Sequence, residues 1–266
     1  MKMPENLFKQ ALRQQQLQVG LFLGLANPLS AEILAGCGFD YLLIDAEHGP
    51  NDLRSVQAQL QVLAAYPVQA IVRPPNHDAA LIKQLLGAGV QTLLLPMVEN
   101  AEQAQALVRA MRYPPKGVRG VGTGLERGAR WNGVDAYFQQ VEAELCLIVQ
   151  VESAAGLAQL EAILAVDGVD GVFIGPADLA ASLGYLGQAG HPTVKAAIAR
   201  ALASIRASGK AAGIFATDAT LALEYQAAGV CFLAIGADTG VLRNAAIRLL
   251  DSVKPGAKND KPGAAY

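Results

Sequence analysis

The sequence predicts an α/β fold in which eight parallel strands close into one (β/α)8 barrel. Three observations carry that expectation. Short runs rich in Val, Ile and Leu alternate with longer amphipathic stretches along almost the whole chain, the rhythm of buried parallel strands covered by helices. At 266 residues, 52% of them apolar, the chain can fill one large interior, and barrels of this length are routinely one folding unit. The first strand–helix turn, LGLANPLSAE, lacks the glycine fingerprint that a doubly wound open sheet would place there.

Taken in order, the strands are expected at 18–24, 41–45, 68–73, 92–97, 146–152, 169–174, 211–216 and 230–236. Helical patterns occupy 52–65, 78–88, 101–112, 154–166, 192–208, 217–228 and 238–252, several opened by Asp, Asn or Thr caps. The longest irregular region, 113–134, carries six glycines. It is expected to form a flexible wall or lid over the barrel mouth, with Arg119, Arg127 and Arg130 partly at subunit contacts. Its glycines follow Tyr113-Pro114-Pro115 rather than a strand and match neither P-loop nor dinucleotide spacing, which argues against a nucleotide site. Residues 1–253 read as a single barrel domain. Residues 254–266 mix Pro, Gly and charge without apolar periodicity and are expected to be a disordered tail.

Composition narrows the partners. With 21 basic and 23 acidic side chains the formal charge is −2, so no concentrated basic surface favours nucleic acid or anionic membrane. A small-molecule ligand is the expectation. Cys37, Cys146 and Cys231 are widely separated and odd in number, which suits neither a disulfide framework nor a cysteine-rich zinc site, and read as reduced thiols. The first apolar run, 19–26, is too short to span a bilayer, and a soluble cytoplasmic protein is expected.

In a parallel barrel, reactive groups gather where the strands end and the loops converge on one mouth. That rule selects Asp45, Glu47 and His48 after the second strand, Arg73 after the third, Gln150 and Glu152 at the end of the fifth, and Gly175, Pro176, Ala177 and Asp178 after the sixth. Glu152 and Asp178 end adjacent strands, about 4.8 Å apart, so their carboxylates can converge on one cation. Oxygen ligands favour Mg²⁺ or Mn²⁺, with Co²⁺ or Zn²⁺ also accommodated. A plainer reading makes Glu152 a helix cap and Asp178 a loop carboxylate. His48, flanked by carboxylates, can act as a general base at neutral pH or be a hydrogen-bonded loop histidine. Arg73, stiffened by Pro74-Pro75, can clamp an oxyanion or form an ion pair with Asp45 or Glu47. Gly175 and Ala177 can offer backbone N–H groups to a carboxylate. His77 and His191 read as surface residues near helix starts. No expected strand contains a lysine, so Schiff-base chemistry has no nucleophile and a metal must polarise any carbonyl.

These residues sit in motifs that together are specific: YLLIDAEHGPND (41–52), Arg73-Pro74, KQLLGAGVQTLLLPMVENA (83–101), RYPPKGVRGVG (112–122), LIVQVES (147–153) and VDGVFIGPADL (169–179). From Leu7 to about Ser252 the chain resembles the metal-dependent pyruvate aldolases of the 4-hydroxy-2-oxoheptanedioate aldolase family. The resemblance implies a modified (β/α)8 TIM barrel of the phosphoenolpyruvate/pyruvate type, assembled as a homohexamer, with a divalent metal on Glu152 and Asp178. It further implies His48 as proton acceptor, Arg73 as transition-state stabiliser, Gln150 and Ala177 as pyruvate contacts, and Asp45 as support for the water and histidine network. The implied reaction is reversible cleavage of a 4-hydroxy-2-oxo acid to pyruvate and an aldehyde. The first candidate is 4-hydroxy-2-oxoheptanedioate, giving succinate semialdehyde. A 2-keto-3-deoxy sugar acid such as 2-keto-3-deoxy-L-rhamnonate is the alternative, and a pyruvate-binding barrel without turnover the third reading. Loops near 119–132 and 215–218 would then set aldehyde specificity. One position departs from the family: an aspartate that raises the basicity of the histidine is replaced by Gly87. The expected consequences are a weaker base, a substitute carboxylate from Asp45 or Glu47, or a base role for metal-bound water.

Overall fold

The computed structural model describes residues 1–254, so nearly all of the expected tail lies outside the described residues. Eight strands, β1 (Gln18–Leu23), β2 (Tyr41–Asp45), β3 (Gln69–Arg73), β4 (Thr92–Leu95), β5 (Cys146–Val151), β6 (Gly171–Ile174), β7 (Ala211–Phe215) and β8 (Phe232–Ala237), pair in sequence order. Every pairing is parallel, and β8 returns to β1 to close the barrel. Each expected strand is present, most trimmed by a residue or two. The helices are α1 (Leu7–Arg13), α2 (Pro28–Ala35), α3 (Leu53–Leu63), α4 (Ala79–Ala88), α5 (Ala101–Met111), α6 (Tyr137–Glu144), α7 (Ala154–Ala158), α8 (Leu160–Leu164), α9 (Pro176–Ser182), α10 (Pro192–Ala207), α11 (Ala219–Ala227) and α12 (Asp238–Val253). The helix expected at 154–166 is broken at Gln159 into α7 and α8.

Strand parity organises the interior. Phe22, Leu43, Ile71, Ile148, Phe173 and Phe232 belong to one buried cluster inside the barrel, while their chain neighbours, such as Leu42, Ile44, Val72 and Val149, pack outward beneath the helices. The inward parity continues from Leu43 to Asp45, from Ile71 to Arg73, and from Ile148 through Gln150 to Glu152. Polar groups therefore surface on the barrel axis at the ends of the strands. Two glycines make room inside: a Cβ on Gly20 would lie 2.3 Å from the Tyr41 ring, and one on Gly213 would lie 2.1 Å from the Phe232 ring.

The opposite end is plugged. Asn6 caps α1 by accepting from Lys9 N and ties it down by donating to Thr92 Oγ1 at 2.9 Å. Phe8 of α1 then packs edge-on against Tyr41 and Phe232 at the foot of the barrel.

The glycine-rich region is at this foot, not at the mouth. Each helix that follows a strand returns the chain to the end where the next strand begins, so residues after α5 cannot line the mouth of their own barrel. Arg127 donates to Ala88 O (3.1 Å) and Leu60 O (3.3 Å), and Gly128 N donates to Gly87 O. Arg119 is buried within the chain, 3.1 Å from Glu126 and over the Tyr113 ring. The expected lid therefore lies beneath its own barrel, anchored by the buried Arg119, Ala129 and Val134, while Val121, Leu125 and Trp131 face solvent.

One side of the barrel stays bare. In α12 only Asp238 is buried, α11 buries no residue, and Ile235, on a barrel strand, is 42% exposed. Leu242, Leu249 and Val253 of α12 face solvent, as do Leu29 and Ile33 of α2.

Candidate active site

The parallel register places Asp45 directly beside Arg73. The guanidinium makes a two-pronged pair with that carboxylate, Nε to Oδ1 at 2.9 Å and Nη2 to Oδ2 at 2.7 Å. Nη1 lies 3.0 Å from Glu47 Oε2 and 3.4 Å from Gln150 Oε1, and the cation sits 5.0 Å from the centre of the Phe22 ring. Arg73 is almost fully buried, so its charge is sustained by these two carboxylates. The ion pair and the oxyanion clamp expected as alternatives are compatible in this geometry.

After β2 the chain turns tightly. Asp45 Oδ1 also accepts from the backbone N–H of Glu47 (3.1 Å) and of His48 (3.4 Å), and Asn51 donates to Asp45 O at 2.8 Å. A Cβ on Gly49 would fall 2.5 Å from Asp45 O, so only glycine lets the turn close. The turn leaves the His48 ring half-exposed, its Nε2 3.6 Å from Glu47 Oε2. Glu47 thus touches both the arginine and the histidine. Its carboxyl is pushed above the usual range chiefly by burial, with Asp45 and Asp178 adding to the effect and Arg73 and His48 opposing it.

Glu152 follows β5 and is nearly inaccessible to solvent. Its Oε1 accepts from Met97 N at 3.0 Å, and its Oε2 accepts from the Gln150 amide. Met97 reaches this position with φ +51°, a left-handed conformation uncommon for a side chain of its size. Burial raises the Glu152 pKa to about 7, opposed by the Met97 hydrogen bond and reinforced by the charges of Asp178 and Glu47. Asp178 lies in the first turn of α9, exposed, and lines the same pocket as Phe22, Arg73, Gln150, Glu152 and Gly175. Ser153, not Glu152, caps α7, accepting from Gly156 N at 3.0 Å.

This donor set fits a hard dication. Two neighbouring carboxylates, one of them buried where negative charge is disfavoured, gain what they lack from a positive ion. A Cβ on Gly175 would sit 2.1 Å from Glu152 Oε2, so the glycine keeps the space beside that oxygen clear. Among the described residues no cluster of three or more His, Cys, Asp or Glu could hold a metal, and the pair leaves positions open for water and substrate.

Every residue expected at the mouth is there, but three details differ. Gly175 N donates to Val151 O and is not available to a ligand carboxylate. His77 is not a free surface residue, since its Nε2 lies 2.5 Å from Pro96 O and ties the exits of β3 and β4 together. Gly87 is near the foot end of α4, whereas His48 is at the mouth, so position 87 has no route to His48 within one chain. Glu126 fills the space above Gly87, its Cγ 3.1 Å from where a Cβ would be. His191 does cap α10 and stacks on Tyr185.

The pocket also uses Phe173, Ala189, Phe215 and Thr217. Parity along β6 and β7 would have found the two phenylalanines, and Thr217 follows β7 directly. Asp238, buried and accepting from Gly24 N (2.8 Å) and Leu25 N (3.1 Å), joins the ends of β1 and β8. A carboxylate at a helix start gives no sequence signal for that role.

The family described as HpcH/HpaI aldolase/citrate lyase matches residues 18–245, all eight strands included. The chain belongs to the HpcH/HpaI aldolase family. A protein of Pseudomonas aeruginosa named hydroxypyruvate/pyruvate aldolase is 56% identical over 97% of this chain and 96% of its own. An Escherichia coli protein named 4-hydroxy-2-oxo-heptane-1,7-dioate aldolase is 51% identical over 97% of this chain and 99% of its own. The crystal structure of an HpcH/HpaI aldolase/citrate lyase family protein from Burkholderia cenocepacia J2315 superposes with a TM-score of 0.91. It is 43% identical, covering 94% of this chain and 99% of that one. The protein is therefore an enzyme of an aldolase, carbon–carbon lyase family.

Proposed function

We propose that this HpcH/HpaI aldolase is a class II enzyme that reversibly cleaves a 4-hydroxy-2-oxo acid into pyruvate and an aldehyde. The carrying observation is the Glu152–Asp178 pair beside Arg73, in a mouth whose strands and strand-to-helix loops contain no lysine. Glu152 and Asp178 would hold the divalent cation, Mg²⁺ or Mn²⁺ before Co²⁺, as oxygen ligands prefer. Bound there, the cation would draw electrons from the keto oxygen of the substrate.

The protein side chains do the rest. Arg73, locked by Asp45, presents a fixed positive charge to the oxygen on which negative charge grows as the carbon–carbon bond breaks. Gln150 contacts the pyruvyl group. His48 accepts the proton of the 4-hydroxyl as the aldehyde carbonyl forms, and Glu47, 3.6 Å away, orients the ring in place of a carboxylate at position 87. The pyruvate half is shared by 4-hydroxy-2-oxoheptanedioate and 2-keto-3-deoxy-L-rhamnonate, so one mechanism serves either. Exhaustive chelation is expected to abolish pyruvate release from such acids, and Mg²⁺ or Mn²⁺ to restore it. Full turnover by chelated, metal-free protein would refute the class II reading.

Self-association, a homohexamer in the sequence reading, is supported by α12. A 16-residue helix with one buried residue is only marginally stable by itself, and its apolar face together with Ile235, Leu29 and Ile33 needs cover. The double variant Leu242→Glu/Leu249→Glu is expected to reduce the mass measured by light scattering. An unchanged mass would assign the contacts elsewhere. Three free thiols, two of them buried, fit a reducing cytoplasmic setting, and no helix among the described residues is long and apolar enough to cross a membrane.

A further inference from the structure

One peptide unit at the mouth is gripped at both ends. The bond between Pro96 and Met97 carries a carbonyl that accepts from His77 Nε2 (2.5 Å) and an N–H that donates to Glu152 Oε1 (3.0 Å). A carbonyl can only accept, so Nε2 bears the proton. The next amide, Val98 N, donates at 2.9 Å to Gln150 O, on the strand that leads to Glu152. Met97 itself sits at φ +51°, a conformation that persists for such a side chain only where its surroundings over-determine it. His77 is held as well. It follows Arg73 by four residues, behind Pro74-Pro75, and stands between Asn76, which accepts from Asp78 N (3.0 Å), and Asp78, which caps α4 by accepting from Ala80 N (2.9 Å). The β3 exit that ends in Arg73 therefore supports the β4 exit, and through it the carboxylate that follows β5.

We infer that His77 is a positioning residue for the metal site: acting through one peptide unit, it fixes the Glu152 carboxylate in the orientation that receives the cation. This inference rests on the class II reading above. Hydrogen bonds in series polarise one another, so donation into the Pro96 carbonyl strengthens donation from the Met97 N–H of the same peptide. Without His77 that peptide is free to rotate toward an unstrained conformation, taking its N–H away from Glu152 Oε1. The carboxylate then keeps only the Gln150 amide, on Oε2. A ligand that must first be oriented binds its ion more weakly than one already fixed.

The test is calorimetric titration of the metal-free protein with Mn²⁺. His77→Leu is expected to weaken the affinity about fivefold, less than the roughly tenfold or more typical of a group that touches the ligand directly, with Tm little changed. His77→Gln, whose amide nitrogen reaches about as far as Nε2, is expected to recover most of that loss. The Mn²⁺ concentration giving half-maximal pyruvate release should move in parallel. Should leucine prevent folding, His77→Asn, one methylene too short to reach Pro96 O, takes its place in the comparison with glutamine. Wild-type affinity in the folded donor-free variant overturns the inference, and a fall in Tm without a fall in affinity assigns His77 to the fold alone. A loss of affinity that glutamine shares in full overturns it too, since the donor is then not what matters. Wild-type protein that binds no Mn²⁺, or turns over without metal, would instead sink the class II reading itself.

Discussion

Glutamine at position 152 is expected to lower kcat/KM for pyruvate release by about a thousandfold while leaving the barrel folded. The amide keeps the shape of the side chain and its contact with Met97 N but removes the charge that would face the cation. Loss of metal affinity in a calorimetric titration, with unchanged circular dichroism, is the matching result. The same variant tests the electrostatics of the metal-free enzyme. The Glu152 carboxyl is raised from an ordinary 4.5 to about 7, so the folded state holds its proton more tightly than the unfolded chain. Stability from this group is therefore fully present below about pH 4.5 and is lost as pH rises through about 7, a change of at most about 3 kcal/mol. Glu152→Gln should flatten that slope in thermal unfolding. Because proton and cation compete for one carboxylate, wild-type metal affinity should fall about tenfold between pH 8 and pH 6. A nearly active Glu152→Gln enzyme that still binds Mn²⁺ would remove Glu152 from the metal site.

Arg73→Lys is the second large effect, expected to cut kcat by about a hundredfold or more with a smaller change in KM. Lysine keeps the charge but cannot satisfy both Asp45 oxygens and reach Glu47 at once, as the guanidinium does. One buried carboxylate loses its partner, costing about 2 kcal/mol of stability, which a fall in Tm would report. Wild-type turnover in Arg73→Lys would show that a point charge suffices and that the planar pairing serves the fold alone.

Much of this site was legible because a β-strand has a period of two. Leu43 and Asp45, Ile71 and Arg73, and Ile148, Gln150 and Glu152 share a parity that the apolar runs already display, so the polar ends of those strands had to meet on the barrel axis. Glycine requirements were hidden: nothing in DAEHGP or IGPAD shows that a Cβ at Gly49 would strike Asp45 O, or that one at Gly175 would strike Glu152. The short helices α1, α2, α6 and α9 were also missed, since seven or eight residues give periodicity too little length to register.

The sequence by itself determined the eightfold alternation and that Glu152, Asp178, Arg73 and His48 stand together at the strand-exit end of the barrel. Those follow from local periodicity and from the rule that parallel strands open their loops at one end. Only the tertiary structure decided that residues 113–134 lie beneath their own barrel, that Gly87 lies at the far end from His48, and that Glu47 bridges arginine and histidine. Each of these depends on where a loop or side chain comes to rest against distant parts of the chain. Such packing is settled by contacts among residues far apart in sequence, which no local pattern encodes.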